Sequence, residues 1–219
     1  MGPGSKAGGP TYVAQLGRWV DGDGGAARAA RALLGDAEID LSAVGEADDA
    51  WAEAATAGRD DAGLPAEENR LRYVPVPSVT VRVAPGAARW DVLRVLNGAV
   101  GALGVADVRV SVAPEGGGGG GGGGAVHAAG GAPAGFLPWV VESDAAFADR
   151  VRAGEMERVR WIGPVGGGGA GRELWEASIA AGVTVLDAPV VAAPAVELLT
   201  LMREQAISRT RHRFGHLTE

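Results

Sequence analysis

From Val79 to Gln205, short valine-rich runs alternate with longer runs whose apolar residues return every three or four positions. Val79, Val81 and Val83 read as a strand with one face turned to a core. Trp90, Leu93, Leu96, Val100 and Leu103 follow at helical spacing. VADVRVSVAP, the WVV of FLPWVVES, RVRWIGP and VTVLDAPVV are the further strands. Ser143 stands where it can cap a helix from Asp144 to about Ala153. GRELWEASIAAG is a helix closed by Gly182, and AVELLTLMREQ reads as the last helix. Strands alternating with helices of this length predict a parallel sheet with right-handed crossovers. The expected class is α/β: a Rossmann-like parallel sheet with helices on both faces, preceded by a small helical segment.

Three further segments complete the plan. Residues 1–10 are rich in Gly and Pro and are expected to be disordered. Residues 11–58 hold three helical stretches, of which AVGEADDAWAEAATAG is the last and has Trp51 as its anchor. Its acidic run Glu46, Asp48, Asp49 reads as a solvated helix face. Residues 59–219 form the α/β domain. Pro75 and Pro77 cannot donate to a ladder and belong at a sheet edge or a strand start. Nine consecutive glycines, 116–124, cannot hold regular structure, so 115–135 is expected to be a flexible surface loop inside the domain.

Composition excludes several kinds of chemistry. The absence of cysteine removes disulfides, thiolate zinc sites and thiol nucleophiles, and agrees with a reducing cytoplasm. The N-terminus lacks the apolar run of a signal peptide, and no stretch approaches the roughly 20 apolar residues of a membrane span. A net charge of -7 argues against nucleic acid as a partner. No G-x-S-x-G, H-E-x-x-H or P-loop occurs. His127 falls in the glycine loop and reads as solvated. Trp90, Trp139, Trp161 and Trp175 fall one to an element and read as core.

One stretch matches a dinucleotide fingerprint. After RVRWIG, Gly166, Gly168 and Gly171 fit G-x-G-x-x-G, a helix opens next, and Asp187 ends the following strand. Glycines there would let the backbone approach a pyrophosphate, and the acid would hold a ribose hydroxyl. The competing reading is an accidental match, because four consecutive glycines satisfy many glycine patterns. Pro164 and Val165 also separate the strand from the first glycine, where the motif needs a tight turn.

The C-terminal run stands apart from the acidic whole. Arg203, Glu204, Gln205, Ser208, Arg209, Arg211, His212 and Arg213 make a dense polar segment in which Ile207, Phe214 and Leu217 are the few apolar side chains. A solvated extension is one reading. The other is a docking strand, since forked arginine donors suit a carboxylate-rich surface and a terminal strand can extend a sheet edge.

DAGLPAEENRLRYVPVPSVTVRVAPGA and ELLTLMREQAISRTRHRFGHL resemble the C-terminal region of bifunctional proline dehydrogenase / L-glutamate gamma-semialdehyde dehydrogenase, the proline utilization A family, in its high-GC bacterial form. Glu68-Asn69, Arg72-Tyr73, Pro75, Pro77 and the Val-Arg-Val run before Gly86 carry the first likeness. Glu197-Leu198-Leu199, Arg203-Glu204-Gln205, Ser208-Arg209, His212-Arg213 and Gly215 carry the second. Ala181-Gly182-Val183 and Asp187-Ala188-Pro189-Val190 lie between them, so the likeness runs over about 60–217. Phe214 and His216 depart from the expected tyrosine and asparagine. The resemblance implies a segment downstream of an aldehyde dehydrogenase active site, with the flavin, the NAD fingerprint and the catalytic cysteine all upstream. No cofactor is expected in this chain. It implies a non-catalytic module whose tail serves as a lid or assembly element on the catalytic body, in cis or in trans. A free-standing NAD-type binding domain and a truncated, non-functional remnant are the alternatives.

Overall fold

The computed structural model describes residues 41–114, 138–164 and 169–213, with 216–217. The expected disorder at 1–10, the first two helical stretches of 11–58, all of the 115–135 loop with His127, and Gly166, Gly168 and Phe214 lie outside the described residues.

Helix α1 spans Leu41–Ala57, and β1, Glu67–Pro75, follows it. Five strands then build one parallel sheet: β2 (Ser78–Val83), β3 (Asp107–Val112), β4 (Trp139–Val141), β5 (Arg158–Ile162) and β6 (Thr184–Leu186). Their order across the sheet is β4-β3-β2-β5-β6, so successive strands step outward to one side and then to the other. That is the doubly wound arrangement predicted from the alternation, with its reversal point between β2 and β5.

The helices divide between the two faces. Helix α2 (Arg89–Leu96, widening into a π-helical turn over Asn97–Ala102) packs with α1 on Val79, Val81, Val83, Val108 and Val110. Helices α3 (Asp144–Arg152) and α4 (Arg172–Ala181) cover the opposite face through Phe147, Val151, Leu174 and Ala177 against Val159 and Val185. Alternation along β2 therefore sends its valines to one core and Thr80 and Arg82 to the other side. Ser143 caps α3 by accepting from the Ala146 amide at 3.2 Å. Gly182 ends α4 with φ +68°, a conformation that costs other residues about 1 kcal/mol or more. Trp175, expected in the core, is 37% exposed on the outer side of α4.

The end of the chain departs from the expected final helix. A short α5 (Pro194–Glu197) passes through a 3-10 turn, Leu198–Leu201, into a nine-residue strand, β7 (Met202–Thr210). The helical spacing stops because Leu198 and Leu201 are both fully buried, while Arg203 onward must pair with a strand. The close approach of Leu198 to α2 depends on Gly98, where a Cβ would lie 2.7 Å from Leu198 Cδ2. Gly98→Ala is expected to cost about 1–3 kcal/mol by overpacking, measured by urea denaturation.

Candidate docking surface

Strand β7 does not join the five-stranded sheet. It runs antiparallel to β1 in a separate two-stranded ribbon, from Pro75↔Met202 to Glu67↔Thr210. The Arg211 amide extends the ladder by donating to the Ala66 carbonyl at 2.8 Å. The sequence pattern places no strand before Val79, whereas β1 occupies Glu67–Pro75. Its signal was weak because Glu67, Glu68, Asn69 and Arg70 lack the apolar alternation of a half-buried strand. Beyond the ribbon, β8 (His212–Arg213) pairs with β9 (His216–Leu217) in a two-residue ladder.

A two-stranded ribbon is marginal in water and needs support on one side. At its base Leu71, Tyr73 and Met202 are buried against the body. Arg158 reaches across from β5, donating through Nη1 to the carbonyls of Thr200 and Met202 at 2.8 and 2.6 Å. The Val76 amide donates to the Leu201 carbonyl at 3.0 Å. Farther out, β7 is largely exposed: Arg203, Gln205, Ser208 and Arg209 face solvent, and Glu204 is half-buried. Over Arg203–Thr210 the tail is neither a solvated extension nor folded into the interior. It is a strand on the surface.

Two fully buried ion pairs fix the segment that launches this strand. Arg94 in α2 grips Asp48 in α1 with two bonds, 2.7 and 2.8 Å, and donates to the Ala192 carbonyl at 3.2 Å. Arg160 in β5 donates to both carboxylate oxygens of Glu197 at 2.9 and 3.2 Å. Its Nη1 also serves the carbonyls of Trp161, Leu186 and Ala188. Glu197 in turn accepts from the Val191 amide at 3.0 Å. Residues 186–192 are thereby held from both sides just before α5. This corrects the reading of Asp48 as part of a wet face: its side chain is 0% exposed. Burial pushes its carboxyl up to about 6 even though the Arg94 guanidinium pulls the other way. Burial also raises Asp91, with the Glu197 charge adding to the effect.

A second network lies at the carboxyl ends of β2, β3 and β4. Arg82 at the end of β2 donates to Ser111 Oγ at 2.8 Å and to the Glu142 carbonyl at 3.1 Å, pairs with Asp144, and stacks 4.8 Å from the Phe147 ring. Of the fingerprint residues, Gly171 is the residue before α4 and offers no side-chain cap. Asp187 Oδ2 accepts from the Ala170 amide at 3.0 Å, and a Cβ on Gly169 would lie 2.3 Å from that oxygen. The turn lies after the fourth parallel strand, not the first. Among the described residues no group of acidic or histidine side chains could hold a metal ion, and no helix is long and apolar enough to cross a membrane.

No protein-family profile and no curated protein matches the chain. Its structural neighbours are proline utilization and aldehyde dehydrogenase chains at low identity. Proline Utilization A (PutA) from Corynebacterium freiburgense is similar over 99% of this chain at 24% identity, with a TM-score of 0.53. This chain spans 18% of that one. AldH from Staphylococcus aureus is 14% identical over 80% of this chain and 37% of its own, TM-score 0.44. A putative aldehyde dehydrogenase PutA from Anabaena variabilis is 16% identical over 80% and 38%, TM-score 0.36. At these identities the likeness to the Corynebacterium protein establishes the fold alone.

Proposed function

We propose that this chain is the non-catalytic C-terminal accessory module of a proline-catabolic proline dehydrogenase / L-glutamate gamma-semialdehyde dehydrogenase, making lid or assembly contacts with the catalytic body in cis or in trans. The observation that carries the reading is the β1–β7 ribbon. A nine-residue strand bearing Arg203 and Arg209 stands outside the main sheet, supported at its base and exposed beyond it. Of β7's two edges, only the one facing β1 is paired among the described residues. An open edge of this length is a template for another chain. The chain has no cysteine to act as a thiol nucleophile. The module works in the cytoplasm and needs no cofactor of its own; NAD and flavin belong to the partner.

Co-expression with the catalytic body of a PutA-type dehydrogenase shortened at its own C-terminus tests the proposal. The two chains are expected to co-elute in gel filtration, and removal of residues 203–219 is expected to separate them. Association that survives that deletion would sink the docking role. Millimolar NAD is expected to leave the fluorescence of Trp161 and Trp175 unchanged. Saturable quenching would favour a dinucleotide-binding domain instead.

A further inference from the structure

Side chains of an antiparallel ribbon divide by alternation, and directly paired residues share a face. Tyr73 pairs with Glu204, Leu71 with Ala206, and Pro75 with Met202. That face carries the buried Leu71, Tyr73 and Met202 at the base. The opposite face pairs Val74 with Arg203, Arg72 with Gln205, Arg70 with Ile207, and Glu68 with Arg209. Arg211 continues it, because its Nη2 lies 3.5 Å from Glu68 Oε2. Five arginines and one glutamate therefore share one side of a protein whose net charge is -7.

Four of the five arginines have partners that hold them in place, and three of those four stay about half exposed. Arg72 Nε donates to Gln205 Oε1 at 2.6 Å across the ribbon. Arg70 and Arg211 both reach Glu68, at 2.9 and 3.5 Å. Arg203 lies 3.9 Å from Glu157 of the body. The side chains of Arg70, Arg203 and Arg211 stay about half exposed, at 46%, 56% and 54%. Ile207 and Val74, each half-buried, sit among them.

We infer that this whole face, with Arg70 and Arg72 of β1 beside Arg203, Arg209 and Arg211 of β7, is one docking surface for a carboxylate-rich protein surface. The inference deepens the docking reading and rests on it. Arginines around an apolar centre are the composition of a protein interface, where guanidinium forks pair with carboxylates. Two of the five arginines therefore come from a strand nearly 140 residues away from the tail, as the 139-residue separation of the Asn69–Ser208 pair records.

The test measures binding of the full chain to poly-L-glutamate at about 0.15 M salt, where exposed charges more than about 8 Å apart are screened. R70E/R72E is expected to weaken binding about fivefold, and R209E/R211E by a similar factor, from the range for exposed charge pairs. R70Q/R72Q, which leaves the ribbon backbone intact, is expected to show a smaller loss in the same direction. Loss confined to the β7 variant would overturn the two-strand face and leave a tail alone. Binding of duplex DNA through the same arginines at that salt would overturn the choice of partner. If the dehydrogenase body fails to co-elute while R70E/R72E still weakens poly-L-glutamate binding, the face stands and the named partner falls.

Discussion

Alanine at position 48 is expected to lower the unfolding free energy by about 3–5 kcal/mol, because it strands the Arg94 guanidinium in the interior without its partner. Arg94 is 0% exposed and has Asp48 and the Ala192 carbonyl as its partners. Asparagine at the same position is expected to cost much less at pH 7. It keeps an acceptor oxygen for Arg94 and removes a charge that burial disfavours. The direction of the Asp48 shift carries that second point: burial outweighs the pull of Arg94, so the folded chain holds this proton more tightly than the unfolded chain does.

The pH dependence follows with a definite sign. The folded state holds the Asp48 proton up to about pH 6, whereas the group's ordinary value is 3.8. Its stabilising contribution is therefore complete below 3.8 and is lost as pH rises through about 6. Asp91, also raised by burial, acts in the same direction. Asp60, lowered first by the Gly63 amide, acts in the opposite sense but only below the ordinary carboxylate range. Thermal unfolding of the wild type is expected to move upward between pH 7 and pH 5, and the D48N variant is expected to show a flatter profile. A wild type whose melting temperature falls steadily over that interval would mean that the ion pair, not its burial, sets the protonation state.

The second large effect is expected at Arg160. R160A removes both bonds to Glu197 and the donor for the carbonyls of Trp161, Leu186 and Ala188. A loss of about 3–5 kcal/mol is expected, in the range for stranding a buried carboxylate. The double variant R160L/E197L is not expected to recover it. Replacing a buried ion pair by apolar groups is often neutral, but the carbonyls of Trp161, Leu186 and Ala188, part-buried, would still lose the Arg160 donor. Hydrogen exchange separates local from global effects. Arg160 restrains residues 186–191 ahead of α5, so β7 amides are expected to lose protection before those of β3 do. Equal loss in both strands would show that Arg160 supports the sheet as a whole and has no particular hold on the ribbon.

The parts that were legible in the sequence are those decided within one element. Val79, Val81 and Val83 declare a strand by alternation, Ser143 a helix start, and Gly182 a helix end; each is found in that role. The last helix failed because AVELLTL has helical spacing whichever helix type it adopts. What ends it is the pairing of Met202 and Arg203 with Pro75 and Val74. Asp48 was misread for a related reason. Three acids in four residues look like a wet surface, and only the distant Arg94 makes one of them a core residue. The matching signal, an arginine among the apolar positions of WDVLRVL, was present but ambiguous, since long basic side chains often lie along a helix with their charge in water.

Local periodicity in the sequence determined the α/β class, the doubly wound sheet and an arginine-rich tail too polar to be core. It also ruled out thiol chemistry through its lack of cysteine. Tertiary structure alone decided that the tail is one strand of a ribbon, that β1 is its mate, and that arginines from both strands share a face. The physical reason is pairing register. Arg72 and Gln205 lie opposite each other across 133 residues, and a slip of one position would turn every one of those side chains to the other side.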